Sequence, residues 1–150
     1  MKSDKSIQQF WESYLSKLPR NHVHRFLVPE TDRFGNSAEM ADKLGNLVVR
    51  GIKSATCSRY LGDNILNDAG LSIILNSKQN PLCLIEIYEI TVRRYCDIDE
   101  EWVASEGEGD GSLDYWRNAH WKFFSQEAEN LGYELSEAML SSCERFRVLY

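Results

Sequence analysis

The segment SEGEGDGS, residues 105–112, concentrates acidic side chains: Glu106, Glu108 and Asp110 alternate with three glycines. Like charges this close repel one another, and glycines raise the entropy that folding must overcome, so a simple connection would not need them. Alternating carboxylates are typical of calcium loops. A calcium-binding loop that begins at Glu106 is not supported, because its twelfth position must provide a bidentate carboxylate and is Arg117. The simpler interpretation of Asp110 is an ordinary acidic residue at a helix N-terminus. The functional hypothesis is that the glycines let the backbone approach a ligand closely while Glu106 faces it.

A second reactive pair lies in the segment RGIKSATCS, where Lys53 and Thr56 are three residues apart. A lysine that takes a proton and a threonine hydroxyl can form a base and a nucleophile. On a regular strand this spacing would send the two side chains to opposite faces. They converge only if the backbone turns or bulges near Ser54, which Gly51 permits. The simpler interpretation is an exposed lysine beside an ordinary strand threonine.

The acidic loop leads into an aromatic helix, which we predict over residues 112–132 from a serine N-cap and a terminal glycine. Trp116 and His120 belong to its apolar stripe, and His120 is expected to be a hydrogen-bonded core residue. Arg117 is expected to pair with a loop carboxylate or to hold an anionic ligand. Tyr115 or Trp116 is expected to stack on a base.

Composition limits the class of protein that can use these residues. The chain has 150 residues and is 43% hydrophobic, which indicates one folded domain over residues 1–150. Its net charge is −6. An acidic chain is poorly suited to coating long nucleic acid, so we expect no DNA partner and favour a ligand held in a pocket. Apolar runs are too short for a membrane helix, and the start lacks a signal peptide, so we expect a cytoplasmic protein without a membrane partner.

The elements that must position the site follow from hydrophobic periodicity. Helices are predicted over residues 7–18, 37–50 and 99–105 in addition to the aromatic helix, and strands over residues 52–58, 70–76, 82–95 and 141–150. Residues 20–36 are predicted to be a loop. The long third strand suggests a sheet that bends around a barrel. The pattern indicates an α+β fold.

Metal and disulfide chemistry are not expected. The four cysteines and three histidines of the chain form neither a CxxC pair nor a zinc pattern. We therefore interpret the cysteines as reduced, mostly packed thiols and expect no cofactor.

Three segments, GIKSATCS, EEWVASEGEGDGSLDYWRNAHWKFF and CERFRVLY, together resemble the ASCH domain, the activating signal cointegrator homology family. The resemblance covers roughly residues 35–150, and residues 1–34 resemble the N-terminal helical extension of longer bacterial members. It implies a PUA-like small β-barrel of about five to six strands with flanking helices. It also implies a cleft for RNA or a modified nucleoside.

Some small bacterial members of that family are amidohydrolases that remove acetyl from acetylcytidine. Carried onto this chain, the resemblance implies Lys53 as base, Thr56 as nucleophile and Glu106 as proton shuttle, without a metal. The same cleft is expected to contain a further set of ligand-binding residues: Gly51, Arg59, Glu108, Asp110, Tyr115, Trp116 and Arg117.

Several functions remain open from the sequence. The cleft could hydrolyse a modified nucleoside, bind RNA without catalysis, or cleave single-stranded RNA as a ribonuclease. Hydrolysis of a nucleoside is one class, RNA binding or cleavage is the second, and an interaction module without turnover is the third. The oligomeric state is not predicted.

Overall fold

The computed structural model describes residues 2–62 and 68–150, and within these ranges the chain forms four α-helices and five β-strands. The helices are α1 (Lys2–Leu15), α2 (Ala38–Val49), α3 (Glu100–Glu106) and α4 (Leu113–Leu131). The strands are β1 (Glu30–Asp32), β2 (Ala55–Arg59), β3 (Leu71–Leu75), β4 (Pro81–Arg94) and β5 (Leu140–Val148). None of the helices in these ranges is long and apolar enough to cross a membrane.

The strands form one mixed sheet in the order β1-β3-β4-β5-β2. β1 runs parallel to β3, and the other neighbouring strands are antiparallel. The α+β class is confirmed. The described strands, however, form an open sheet with β1 and β2 at its edges, so the predicted closure into a barrel is not seen in them. The edge strand β1 has three residues and pairs with β3.

The helices cover the sheet in separate places. α1 packs its Tyr14 against Leu71, Ile73 and Leu84 of the central strands. α2 buries Val48 in a neighbouring cluster that includes residues of β3, β4 and β5. The apolar residues whose periodicity predicted α1 and α2 are therefore the ones that face the sheet.

α3 and α4 form the third cluster around a group of aromatic side chains. Trp102 of α3 and Trp116 and Phe124 of α4 are almost completely buried, and they pack with Tyr95 from the end of β4. The aromatic rings of Tyr95 and Trp116 stack with centroids 5.6 Å apart. This cluster fixes α3 and α4 relative to each other, and the acidic loop joins them.

The helix ends explain which boundaries the sequence predicted correctly. Ser112 caps α4 by accepting from the N–H of Tyr115, and Gly132 ends the helix at φ 76°, which confirms that prediction. The predicted range of the first helix, residues 7–18, is wrong at both ends, because α1 spans Lys2–Leu15. The loop predicted over residues 20–36 is also wrong in part, since it contains β1 and a 3-10 turn, Val23–Phe26.

Candidate functional site

A small cavity lies between α2, the start of β2, the loop after α3 and the middle of α4. Phe34 and Phe123 provide aromatic walls on its apolar side. Its volume is about 70 Å³, whereas one water needs roughly 10–15 Å³ on this measure. The cavity therefore has room for part of a small organic molecule, and a whole nucleotide would extend beyond it. The polar side is formed by Lys53, Thr56, Glu106, Glu108 and His120.

Gly107 allows the acidic loop to reach the chain that precedes β2. It ends α3 at φ 64°, and a Cβ there would collide with the backbone carbonyl of Ile52. Beside this contact, the N–H of Ser54 donates to the carbonyl oxygen of Ser105 at 2.9 Å. Glycine is required because both the left-handed backbone and the close approach exclude a side chain. The loop carboxylates are thereby brought to the lysine that follows Ile52.

Glu106 is the centre of the polar cluster and is fully buried. One carboxylate oxygen, Oε2, accepts from the indole N–H groups of Trp102 at 3.0 Å and of Trp116. The other, Oε1, lies 3.4 Å from Lys53 Nζ and 3.6 Å from His120 Nε2. Burial alone would raise the pKa of Glu106, but the interaction with His120, the charge of Lys53 and the Trp116 hydrogen bond together lower it to about 2. Glu106 is therefore ionised at neutral pH.

Lys53 supplies the positive charge next to this carboxylate. Its side chain is 1% exposed, and Nζ donates to the carbonyl oxygen of Ala55 at 2.8 Å. Nζ also lies 3.7 Å from Glu108 Oε2 and 5.4 Å from the ring centroid of Phe34. An ammonium with these partners has no lone pair with which to accept a proton from another group.

Glu108 differs from Glu106 because one of its oxygens is not satisfied. Oε2 is buried and has no hydrogen-bond donor in the described part of the chain. Lys53 Nζ and His120 Nε2 lie at 3.7 and 3.9 Å, which are ion-pair contacts but too long for hydrogen bonds. A ligand N–H could therefore donate to this oxygen.

His120 joins the cluster from α4. Its Nδ1 lies 3.0 Å from the carbonyl oxygen of Trp116, and because a carbonyl only accepts, Nδ1 must carry a proton. Nε2 then faces Glu106 and Glu108. A proton on Nε2 would make both contacts attractive, while a lone pair there would be repelled. The ring is fixed in this orientation by stacking on Trp116, with centroids 4.1 Å apart and an interplanar angle of 18°.

Lys53 and Thr56 do reach the same cavity, although the rule for strand spacing sends them apart. β2 begins at Ala55, so Lys53 lies before the strand, where its N–H donates to Leu47 at the end of α2. The Lys53 side chain is then free to fold back to the carbonyl of Ala55. The alternation of side chains along β2 therefore does not apply to Lys53, and no bulge in the strand is needed to bring the two side chains together.

Several of the expected ligand-binding residues lie outside the lining of this cavity. Asp110 is exposed and accepts from the N–H of Ser112, which lowers its pKa through those hydrogen bonds. Arg59 contacts Glu127 at 3.8 Å and stacks on the ring of Tyr133. Gly51 ends α2 with nothing within 4 Å of the Cβ it lacks.

The three expected residues of α4 divide between different surroundings. The Tyr115 ring lies over Gly109, where any Cβ would collide with it. Trp116 is buried and donates to Glu106, so its ring faces His120 and not a ligand. Arg117 lines another cavity.

The cluster also contains a set of potential metal ligands. One ligand atom each from Glu106, Glu108 and His120 lies within 4.8 Å of the others. Lys53 Nζ contacts the same two carboxylates, at 3.4 and 3.7 Å. The ammonium already supplies the positive charge that a cation would bring, and it would repel one. This arrangement favours a site without a metal.

Sequence reasoning missed the role of His120 and the aromatic walls. His120 is hydrogen-bonded and its side chain is only 13% exposed, as expected of a core residue, but it also lines the cavity with Phe123 one turn later. The signal was present in the spacing of Trp116 and His120, one turn apart on the helix that follows the carboxylate loop.

Comparison with known proteins identifies related structures. A family model described as the ASCH domain matches residues 30–150. An ASCH domain crystal structure from Lactobacillus crispatus has a TM-score of 0.86 at 35% identity, covering 96% of this chain and 94% of that one. A crystal structure of a protein from Enterococcus faecalis has a TM-score of 0.81 at 32% identity, covering 97% of this chain and 88% of that one. No curated protein matches the chain.

Proposed function

The chain belongs to the ASCH domain family, and on this premise we propose that its cavity binds the edge of an amino-bearing nucleobase in single-stranded RNA or a nucleoside. The family is generally associated with RNA. The observation that carries the proposal is the buried Glu108 oxygen without a hydrogen-bond donor. A buried acceptor left unsatisfied costs about 1–3 kcal/mol, which a ligand N–H would recover.

The chemistry of the cavity favours cytosine or adenine over uracil. A glutamate accepts well from the exocyclic amino group of cytosine, whereas uracil presents a carbonyl oxygen at the same position. The Thr56 hydroxyl can either donate or accept, so it suits the ring nitrogen beside that amino group. Phe34 and Phe123 offer apolar surface to the flat base.

Calorimetric binding of cytidine and uridine to the purified protein tests this proposal. We expect cytidine to bind at least about tenfold more tightly, since a hydrogen bond to a charged group is worth about 1.5–3 kcal/mol. Glu108→Gln keeps the shape but accepts less strongly, and its amide N–H can donate to the uracil carbonyl, so it should weaken cytidine binding and strengthen uridine binding. Glu101→Gln, which alters an exposed carboxylate of α3, is the matched control. Equal affinities for the two nucleosides would contradict the proposal.

Amide hydrolysis is the second candidate function, and the meeting of Lys53, Thr56 and Glu106 at one cavity favours it. Lys53 would first pass a proton to a carboxylate, and the neutral amine would take the Thr56 proton as Oγ1 attacks the amide carbonyl. The protonated carboxylate would then protonate the leaving amine, and water would release the acyl group from Thr56. The lowered pKa of Glu106 makes Glu108 the better proton acceptor in this sequence.

Release of acetate from acetylcytidine separates the two candidates. A hydrolase should show turnover that Thr56→Val abolishes, because the substitution removes the hydroxyl at nearly constant shape. Folding of the variant is checked by its unfolding transition. If the wild type binds cytidine but releases no acetate from acetylcytidine, hydrolysis is refuted and only the binding function remains.

A further inference from the structure

A second cavity lies on another side of α4, with a volume of about 360 Å³. Arg117, Asn118 and Trp121 line it from the helix, and Tyr95 forms its buried wall. Three residues of α4 line the second cavity, and at 3.6 residues per turn their mean direction is about 160° from that of the three that line the first, Ala119, His120 and Phe123. The second cavity is therefore separated from the first by the helix itself.

Trp121 supplies an aromatic surface that the fold leaves partly uncovered. The side chain is 36% exposed, although tryptophan is usually well buried. One part of the ring packs against Tyr95, with centroids 5.3 Å apart and an interplanar angle of 51°. The remaining surface faces the second cavity, which is several-fold larger than the cavity around Glu106 and Glu108, here named the base-edge cavity.

Arg117 supplies a positive charge at the same place, in a lining that also contains the carboxylate of Glu137. Its carbonyl accepts from the Tyr95 hydroxyl at 2.7 Å, which anchors the backbone here. No ion pair of the Arg117 guanidinium is found among residues 2–62 and 68–150. Asn118 and Glu137 line the same cavity and can contact polar atoms of a base edge.

We infer that this cavity is a second nucleotide subsite for single-stranded RNA, in which a base stacks on Trp121 and a phosphate binds Arg117. Bases splayed from a single strand are typically held by stacking on aromatic side chains and by arginine contacts. This inference rests on the proposed function. Because a helix with its side chains is about 10–12 Å wide, only a strand of several nucleotides can occupy both cavities.

The experiment compares an oligocytidine octamer with free cytidine on the full chain. Trp121→Leu should weaken octamer binding about 5- to 150-fold, the range for loss of one stacked base, and leave cytidine binding unchanged. Trp121→Phe keeps an aromatic surface and should restore most of the affinity. Octamer binding should also quench tryptophan fluorescence less in Trp121→Phe than in wild type.

Arg117→Gln tests the phosphate contact. It should lower the slope of log affinity against log salt by about 0.7, the contribution of one single-strand phosphate. Lys122→Gln is the matched control, because it removes an equal charge from an exposed position of the same helix outside the cavity.

The outcomes separate this inference from the proposed function. If cytidine and the octamer bind wild type but the Trp121 and Arg117 variants bind the octamer equally well, the subsite is refuted and the base-edge cavity stands. If neither ligand binds wild type, both are refuted. Binding of a glutamate-rich peptide that depends on Trp121, without octamer binding, would show a protein-docking site and overturn the inference.

Discussion

Replacing Glu106 by glutamine should change how the stability of the protein depends on pH. The pKa of this carboxyl falls from an ordinary 4.5 to about 2, and each unit is worth about 1.36 kcal/mol, so ionised Glu106 contributes about 3 kcal/mol at neutral pH. Because the folded-state pKa is depressed, this contribution is present above about pH 4.5 and is lost as the pH falls towards 2.

The variant should be destabilised most where wild-type Glu106 is ionised. A glutamine can still accept from the two indoles, but its amide N–H groups would then face Lys53 and His120. Removing one member of a buried ion pair costs about 3–5 kcal/mol, because the other charge remains buried. We expect a difference of that size near pH 7, which narrows by about 3 kcal/mol as the pH approaches 2.

Free energies of unfolding from urea titrations, measured at intervals of pH for wild type and Glu106→Gln, test this reasoning. Glu101→Gln is the control, since it removes the same charge from an exposed position of α3. The difference between Glu101→Gln and wild type should remain small. If the difference in unfolding free energy between wild type and Glu106→Gln is the same at pH 5 and near pH 2, the buried network does not hold the carboxyl of Glu106 ionised.

The remaining predictions concern the backbone, the cysteines and metals. Gly107→Ala should destabilise the protein by about 1–3 kcal/mol more than Gly111→Ala, measured by urea unfolding. Both glycines have positive φ, but only the first meets a backbone carbonyl, so equal losses would contradict the close approach. A thiol reagent should label exposed Cys96 in the folded protein and reach buried Cys57 only on unfolding, and rapid labelling of both would count against the packing. A chelator should leave cytidine affinity unchanged, because Lys53 supplies the charge that a metal would bring, and a tenfold loss would reverse that interpretation.

The sequence predicted the elements that have strong local signals. α2 and α4 have apolar periodicity together with capping residues, and both lie within about a residue of the predicted ranges. β1 could not be predicted in the same way, since its three residues are all exposed and show no alternation. Its place in the sheet depends on pairing with β3, a contact between segments about forty residues apart.

The candidate site was harder to predict because it depends on how the elements pack. The residues Lys53, Thr56 and Glu106 were connected by resemblance, while their spacing alone favoured separate faces. Their meeting depends on the start of β2 at Ala55 and on the close approach of Gly107 to Ile52. Neither feature has a signal in hydrophobic periodicity.

The charges of the cluster explain why the ligand should enter by its base and not by a phosphate. Lys53 is the only fixed cation within ion-pair distance of both loop carboxylates in the described chain, so the two carboxylates outnumber it. A phosphate at this position would be repelled by the unsatisfied Glu108 oxygen, whereas an amino group would be attracted to it. The sugar and phosphates of a nucleotide must then lie outside the cavity, where an acidic chain offers few partners. Under the proposed function, the loss of Arg117 should therefore weaken RNA binding more than the acidic net charge of the protein would suggest.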